Sequence, residues 1–280
     1  MQLLATKPPL IGVVHLLPLP GAPGYGGSME RVIDRAVADA SAYLTGGIAV
    51  LIVENFGDQP FLAGPLAPET IAALAVAARE VRALGDFALG VNALRSDGPG
   101  ALAVATAAGA SFVRVNVLTG AAVTDQGLIQ GCAAPLARLR AGLRADVAIW
   151  ADLQVKHAAP LVPRDALEEA RDMRERGRAD ALIVTGPRTG APVDPDQLRR
   201  LRRAMPGVPW IAGSGVSAAN LGELWTCADG FIVGTSLKRD GRTEAPVDLA
   251  RVRALVRRHR ELSRGRRTAP PAARRRRRHP

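Results

Sequence analysis

Eight short apolar runs recur along the chain at intervals of roughly 30 residues, each followed by a stretch with apolar side chains at helical spacing. They are Leu10–His15, Ala49–Val53, Phe87–Val91, Phe112–Val115, Val147–Ala151, Ala181–Val184, Pro209–Ala212 and Phe231–Val233. Continuous apolar runs of this length, bounded by turn residues, read as strands buried on both faces, which means a parallel sheet covered by helices. Eight strand–helix units are what a closed ring requires and more than a typical doubly wound sheet carries. The expected architecture is α/β, a single (β/α)8 TIM barrel over residues 1–262, followed by a disordered tail over residues 263–280. The loop after the first run, LLPLPGAPGYGG, lacks the Gly-x-Gly-x-x-Gly spacing of a dinucleotide turn, so no nucleotide cofactor is expected.

Helix boundaries are marked by ordinary signals. Ser28 reads as the cap of the first helix and Gly46 and Gly47 as its end, Pro68 as the start of the second, and Asp165, Asp194 and Pro195 as later starts. Aromatic residues are 4% of a chain that is 48% hydrophobic, so the core is built from Ala, Val, Leu and Ile. The two cysteines, Cys132 and Cys227, are too few for a disulfide framework and have no metal-ligand spacing. No apolar run approaches the roughly 18 residues that span a bilayer, and the first residues lack a signal-peptide core, so a cytoplasmic protein is expected.

The net charge of +11 is concentrated at one end. From Arg251 to Pro280 there are 13 arginines and one acid, Glu261, a charge of +12 that leaves −1 for everything before it. A tail of this composition, RGRRTAPPAARRRRRHP, cannot form a packed core. It is expected either as a solvated arm or as a weak contact for nucleic acid or an anionic membrane surface, which would make the protein peripheral at the membrane.

In this fold, polar residues at the C-terminal ends of the strands line one mouth of the barrel, where the chemistry is. His15, Glu54, Asn92, Arg95, Arg114, Asn116, Asp152, Lys156, His157 and Thr185 all fall at or just beyond such ends. A carboxylate left there by an apolar strand needs a cation, a metal or solvent. Glu54 and Asp152 are therefore candidates for general base or for ligands of a divalent metal, or else for structural pairing with Arg114 and Lys156. His15 and His157 are candidate proton-transfer groups, His15 having the alternative of a core histidine bonded to a backbone carbonyl. Lys156 can contact an anionic substrate or act covalently. Arg114 and Asn116 share a face by the period of two and suit orientation of an anion, and Asp125, in TDQG, is a further binding candidate or a simple cap.

The last two runs each open into a glycine turn, Gly213-Ser214-Gly215 and Gly234-Thr235-Ser236. Glycines let backbone N–H groups close on an anion, Ser214 and Thr235 carry hydroxyls, and Ser217 is placed to cap a short helix. After the seventh and eighth strands of such a barrel, this is the position of a phosphate cup. The other reading is a pair of turns that merely join strands to helices.

The ordered blocks GVVHLLPLPGAPGYGGSMERVIDRAVADA, IVENFGDQPF, NALRSD, FVRVNVLTGAAVTDQG, ADLQVKHAAPL, IVTGPRTG, GSGV and ADGFIVGTSLKRDG resemble the BtpA/SgcQ family. The resemblance runs from Leu10 to Gly241 and implies a TIM barrel related to phosphate-binding barrels. It implies no settled reaction: members are associated with photosystem I biogenesis in cyanobacteria and with sugar-uptake operons elsewhere. NALRSDGP stands where NVLRND-like text is usual, and ADLQVKH lacks an acid often found before the valine. Arg95, Asp97, Asp152, Lys156 and His157 keep the family pattern, and the arginine tail lies outside it.

Two functions of different classes follow. One is an enzyme of isomerase or lyase type acting on a small phosphorylated metabolite. The other is a non-catalytic assembly or stability factor for a membrane complex such as photosystem I. Association into an oligomer is compatible with either.

Overall fold

The computed structural model describes residues 2–4, 7–186 and 191–267. The centre of the TGPRTGAPV loop, residues 187–190, and most of the arginine tail, residues 268–280, lie outside the described residues.

The described strands are β1 (Leu10–His15), β2 (Val50–Glu54), β3 (Ala88–Asn92), β4 (Phe112–Val115), β5 (Ala121–Thr124), β6 (Gly127–Gln130), β7 (Ala148–Leu153), β8 (Ala158–Pro160), β9 (Ala181–Val184), β10 (Trp210–Ala212) and β11 (Gly230–Val233). The helices between and after them are α1 (Met29–Gly46), α2 (Pro68–Arg82), α3 (Gly98–Ala108), α4 (Ala133–Gly142), α5 (Ala166–Arg171), α6 (Pro195–Ala204), α7 (Leu221–Leu224) and α8 (Leu249–Arg267). Strands β1, β2, β3, β4, β7, β9, β10 and β11 pair in parallel and in that order, and β11 returns to β1, so the ring is closed. The eight runs read from the sequence are these eight strands.

Alternation along the strands separates two cores. Outward residues such as Leu51, Val53, Leu89 and Val113 pack against the helix layer. Inward residues, Ile11, Val13, Ile52, Phe112, Trp150 and Ile183 among them, fill the barrel. Phe112 and Trp150 stack with ring centroids 3.7 Å apart, and Gly90 leaves them the room, since a Cβ there would run into the Phe112 ring. Gly90→Val is therefore expected to lower stability by about 1–3 kcal/mol through overpacking, read from the urea midpoint.

Caps follow the sequence signals. Ser28 accepts from the Arg31 N–H at 3.3 Å, Asp165 and Asp194 cap α5 and α6, and Gly47 ends α1 in the left-handed region. The segments LTGAAVTDQG and LQVKHAAPLV carry further strands: β5, β6 and β8 form a small antiparallel sheet, with Ala122, Ile129, Val117 and Val155 packed beneath it. One expectation needs correction. Ser217 does not cap α7, because Asn220 holds the cap position and its Oδ1 accepts from the Ser217 N–H at 2.8 Å.

Candidate active site

Strand register assembles the site. His15 is level with Glu54, Glu54 with Asn92, and Asn92 with Arg114, so four neighbouring strands each contribute one polar residue at the same height. All four continue the inward-facing series whose lower members are Val13, Ile52, Gly90 and Phe112. The apolar filling of the barrel thus ends in a polar layer at the mouth.

Arg114, only 4% exposed, is the centre of that layer. Its Nε and Nη2 donate to the two oxygens of Asp152, both at 3.0 Å, and its Nη1 lies 3.8 Å from Glu54 Oε2. Asp152 Oδ2 also accepts from Asn116 Nδ2 at 2.7 Å, and Asn92 Nδ2 donates to Asn116 Oδ1 at 3.1 Å. Asp152, a candidate base or metal ligand by sequence, therefore has both oxygens committed, and its geometry is that of a residue fixing the guanidinium plane. A cation already sits between Asp152 and Glu54, and among the described residues no group of three His, Cys, Asp or Glu is placed to hold a metal.

Glu54 is different. It is buried and faces cavity space, and its nearest ionisable neighbours, Arg114 and His15 Nε2, are each 3.8 Å away, beyond hydrogen-bond length. Burial raises its carboxyl above the ordinary range; Arg114 and Lys156 oppose the shift and Asp152 adds to it. Burial likewise holds His15 well below its ordinary value, with the charges of Lys238 and Lys156 pushing the same way. At neutral pH His15 is a neutral imidazole, packed 4.6 Å from the Phe56 ring. Its Nδ1 has no hydrogen-bond partner among the described residues.

The small sheet supplies the next residues. Asp125 stands in the β5–β6 turn, and Lys156 and His157 lead into β8. Arg95, nearly buried, reaches Asp125 at 3.4 Å and donates through Nη2 to the Lys156 carbonyl. His157 is exposed at the rim.

The cup has the expected chain segments but not all of the expected donors. The Gly213 N–H donates to Val184 O at 2.8 Å. Ser214 Oγ accepts from the Gly186 N–H at 2.6 Å and donates to Ala191 O at 3.0 Å, so this hydroxyl holds the β9 loop rather than facing an anion. Thr235 Oγ1 pairs with Thr243 Oγ1 at 3.0 Å; one proton serves that contact, leaving one hydroxyl proton of the pair for another acceptor. Lys238, in the same block, is fully buried and bonded to Asp39 at 2.8 Å, a structural pair outside the mouth.

Three adjoining cavities divide these residues. One of about 310 Å³ joins His15, Glu54, Arg114 and Lys156 to the turns Gly213–Gly215 and Gly234–Ser236. A second, about 510 Å³, brings Asn92, Arg95, Asn116, Asp125 and His157 to the same Glu54, Arg114 and Lys156. Asp152 and Thr185 line the third, about 540 Å³, again with Lys156. Every candidate from the sequence is thus at the one mouth. Sequence reading missed Asn55 and Asp58, which tie the loops after β1, β2 and β3 together: Asn55 Oδ1 accepts from Leu94 N at 2.7 Å, and Asp58 Oδ1 from Leu19 N at 2.7 Å. Their spacing in ENFGD, an amide followed three residues later by an acid, was the available signal.

The profile of the BtpA family matches residues 6–261. The chain belongs to the BtpA family. An uncharacterised protein of Thermococcus kodakarensis is 48% identical over 258 residues, covering 91% of this chain and 97% of its own. The photosystem I biogenesis protein BtpA of Synechocystis is 44% identical over 255 residues, covering 91% of this chain and 89% of its own. Among solved structures, the phosphoribosyl anthranilate isomerase of Thermus thermophilus superposes with a TM-score of 0.55 at 15% identity, over 91% of this chain and 99% of that one. That likeness is one of fold. No helix among the described residues is long and apolar enough to cross a membrane.

Proposed function

We propose that this BtpA-family barrel is an enzyme acting on a small phosphorylated metabolite, of isomerase or lyase class. One observation carries the reading: a single cavity is lined both by the two glycine turns after β10 and β11 and by Glu54, His15, Arg114 and Lys156. A phosphate in the turns would be held by backbone N–H groups and the Thr235–Thr243 hydroxyls, in the field of Arg114 and Lys156. The rest of such a ligand would then lie against Glu54, a carboxyl with no hydrogen bond among the described residues and a raised pKa, suited to moving a proton. His15 as a neutral imidazole would donate or accept a hydrogen bond without carrying charge. Asp152 and Asn116 would act through Arg114 by fixing its orientation.

Inorganic phosphate is the first test. At a hundred times its dissociation constant it is expected to stabilise the protein by about 2.7 kcal/mol, seen as a rise in Tm. A Cβ at Gly234 would project toward His15 Cε1 at 3.2 Å, into the cup, so Gly234→Ala is expected to lose most of that rise while keeping the fold. An unchanged phosphate response in this variant would place the anion elsewhere.

The relationship to a protein named for photosystem I biogenesis favours a second reading, in which the barrel is a binding surface for a membrane complex. Under it, variants at the mouth that keep the fold would leave function intact. The family match ends at residue 261, before the arginine tail, and neither reading rests on residues 268–280, which lie outside the described residues.

A further inference from the structure

The chain has three lysines among its 37 basic residues. Lys7 is exposed, and Lys238 is sealed against Asp39. Lys156 borders all three cavities of the mouth. In a chain that otherwise uses arginine, an amine at this point is distinctive, because an ammonium can give up its proton and become a nucleophile whereas a guanidinium cannot.

Its setting is built rather than incidental. Gln154 and His157, on either side, have φ of 54° and 56°, a left-handed backbone that side-chain-bearing residues adopt at a cost of order 1 kcal/mol each. The Lys156 carbonyl is tied to Arg95, and Val155 is packed beneath the small sheet. The backbone is thereby fixed while the side chain remains at the cavity. Among the described residues no acceptor lies within hydrogen-bond or ion-pair distance of the Lys156 ammonium. Burial lowers its pKa and Arg114 and Arg95 add to this, while Glu54 and Asp152 oppose it, so the free amine is more accessible than in an exposed lysine.

We propose that Lys156 is a nucleophilic amine that condenses with the carbonyl group of a phosphorylated aldehyde or ketone. This rests on the phosphate-binding reading of the same mouth and names the substrate class. The amine nitrogen bonds to the carbonyl carbon, and the C=O π pair moves to oxygen, which takes a proton. That proton is the one the nitrogen loses; loss of the oxygen as water, with a second proton supplied by the Glu54 carboxyl, leaves a protonated C=N bond, so the balance is amine, carbonyl and Glu54 acid giving protonated imine, water and Glu54 carboxylate. The protonated imine withdraws electrons from the adjacent carbon. It therefore supports either proton removal, as in isomerisation, or cleavage of the next carbon–carbon bond.

The test uses the full chain with dihydroxyacetone phosphate and sodium cyanoborohydride, which reduces an imine to a stable secondary amine, followed by peptide mapping. Lys7 is the internal reference. A phosphorylated carbonyl compound held in the cavity is presented to the Lys156 amine at high effective concentration whereas Lys7 is exposed, so modification of Lys156 is expected at least about tenfold faster than of Lys7. Excess inorganic phosphate is expected to suppress it, and Lys156→Arg, which keeps the charge, to abolish it. Modification of Lys156 no faster than Lys7, in protein whose Tm still rises with inorganic phosphate, would overturn the lysine assignment and leave the phosphate site standing. Absence of both the Tm rise and the adduct would remove the two together.

Discussion

Arg114→Met is expected to lower the stability of the fold by about 3–5 kcal/mol at neutral pH, because it strands two carboxylates in a site that offers them little water. Asp152 would lose a bidentate partner with both contacts at 3.0 Å, and Glu54 would lose its nearest cation. Asn116, bonded to Asp152 Oδ2, cannot replace a full charge. Methionine approximates the removed stem in volume, so the loss is electrostatic rather than a cavity effect. The measurement is the urea midpoint. Lowering the pH supplies the sign: a carboxyl whose folded pKa is raised above its unfolded value destabilises the fold once ionised, and relieves it when protonated. Glu54 is already raised in the parent, and removing Arg114 takes away a contribution that lowers it. The deficit of the variant should therefore shrink as pH falls from neutral into the range where Glu54 protonates. Adding Asp152→Asn to Arg114→Met should recover part of the loss, a coupling that a double-mutant cycle reads directly. A variant as stable as the parent at neutral pH would mean that water reaches these carboxylates freely and that the mouth is not the low-dielectric site described above.

The barrel was legible because its signal is repetitive and local. Each strand announces itself by an apolar run such as VLIV or ALIV, each helix by spacing and a cap such as Ser28 or Asp194, and closure follows from having eight of them. The mouth was legible for a related reason: inward alternation is interrupted at His15, Glu54, Asn92 and Arg114, and in parallel strands such interruptions line up. Who bonds to whom was not. Asp152 and Glu54 look alike in sequence, each an acid closing an apolar strand, yet one is committed to Arg114 and the other is open, a difference fixed by register across several strands. Nor could the small sheet be read. Strands β5, β6 and β8 have three or four residues apiece, and β8 meets β5 only after the whole of α4 and β7, so no local period marks them. The hydroxyl of Ser214 illustrates the same limit: its partners, Gly186 and Ala191, belong to a different loop.

Glu54→Gln separates the two functional readings with the largest effect on activity. If Glu54 moves the proton, the variant should lose about 10²–10⁴-fold of the solvent-deuterium exchange that the parent catalyses on phosphorylated aldehydes and ketones, followed by proton NMR in D2O. Phosphate binding should survive, because the glycine turns, Arg114 and Lys156 are untouched. Stability at neutral pH should be equal or higher, since an ionised carboxylate with a raised folded pKa opposes folding and the neutral amide removes that penalty. These directions together distinguish loss of chemistry from loss of structure. The pH profile adds an independent check. A base works ionised, so exchange in the parent should rise with pH through the pKa of Glu54, and burial places that limb above the ordinary glutamate value of about 4.3. The residual exchange of Glu54→Gln should lack the limb, whereas Glu54→Asp, which keeps an acid on a shorter arm, should retain a limb at reduced rate. An assembly factor has no reason to respond to any of this: it would tolerate a folded Glu54→Gln in complementation and would fail instead on changes to its outer surface. A parent with no exchange on any phosphorylated carbonyl compound, together with a Glu54→Gln chain that complements fully, would move the function from the mouth of the barrel to its exterior.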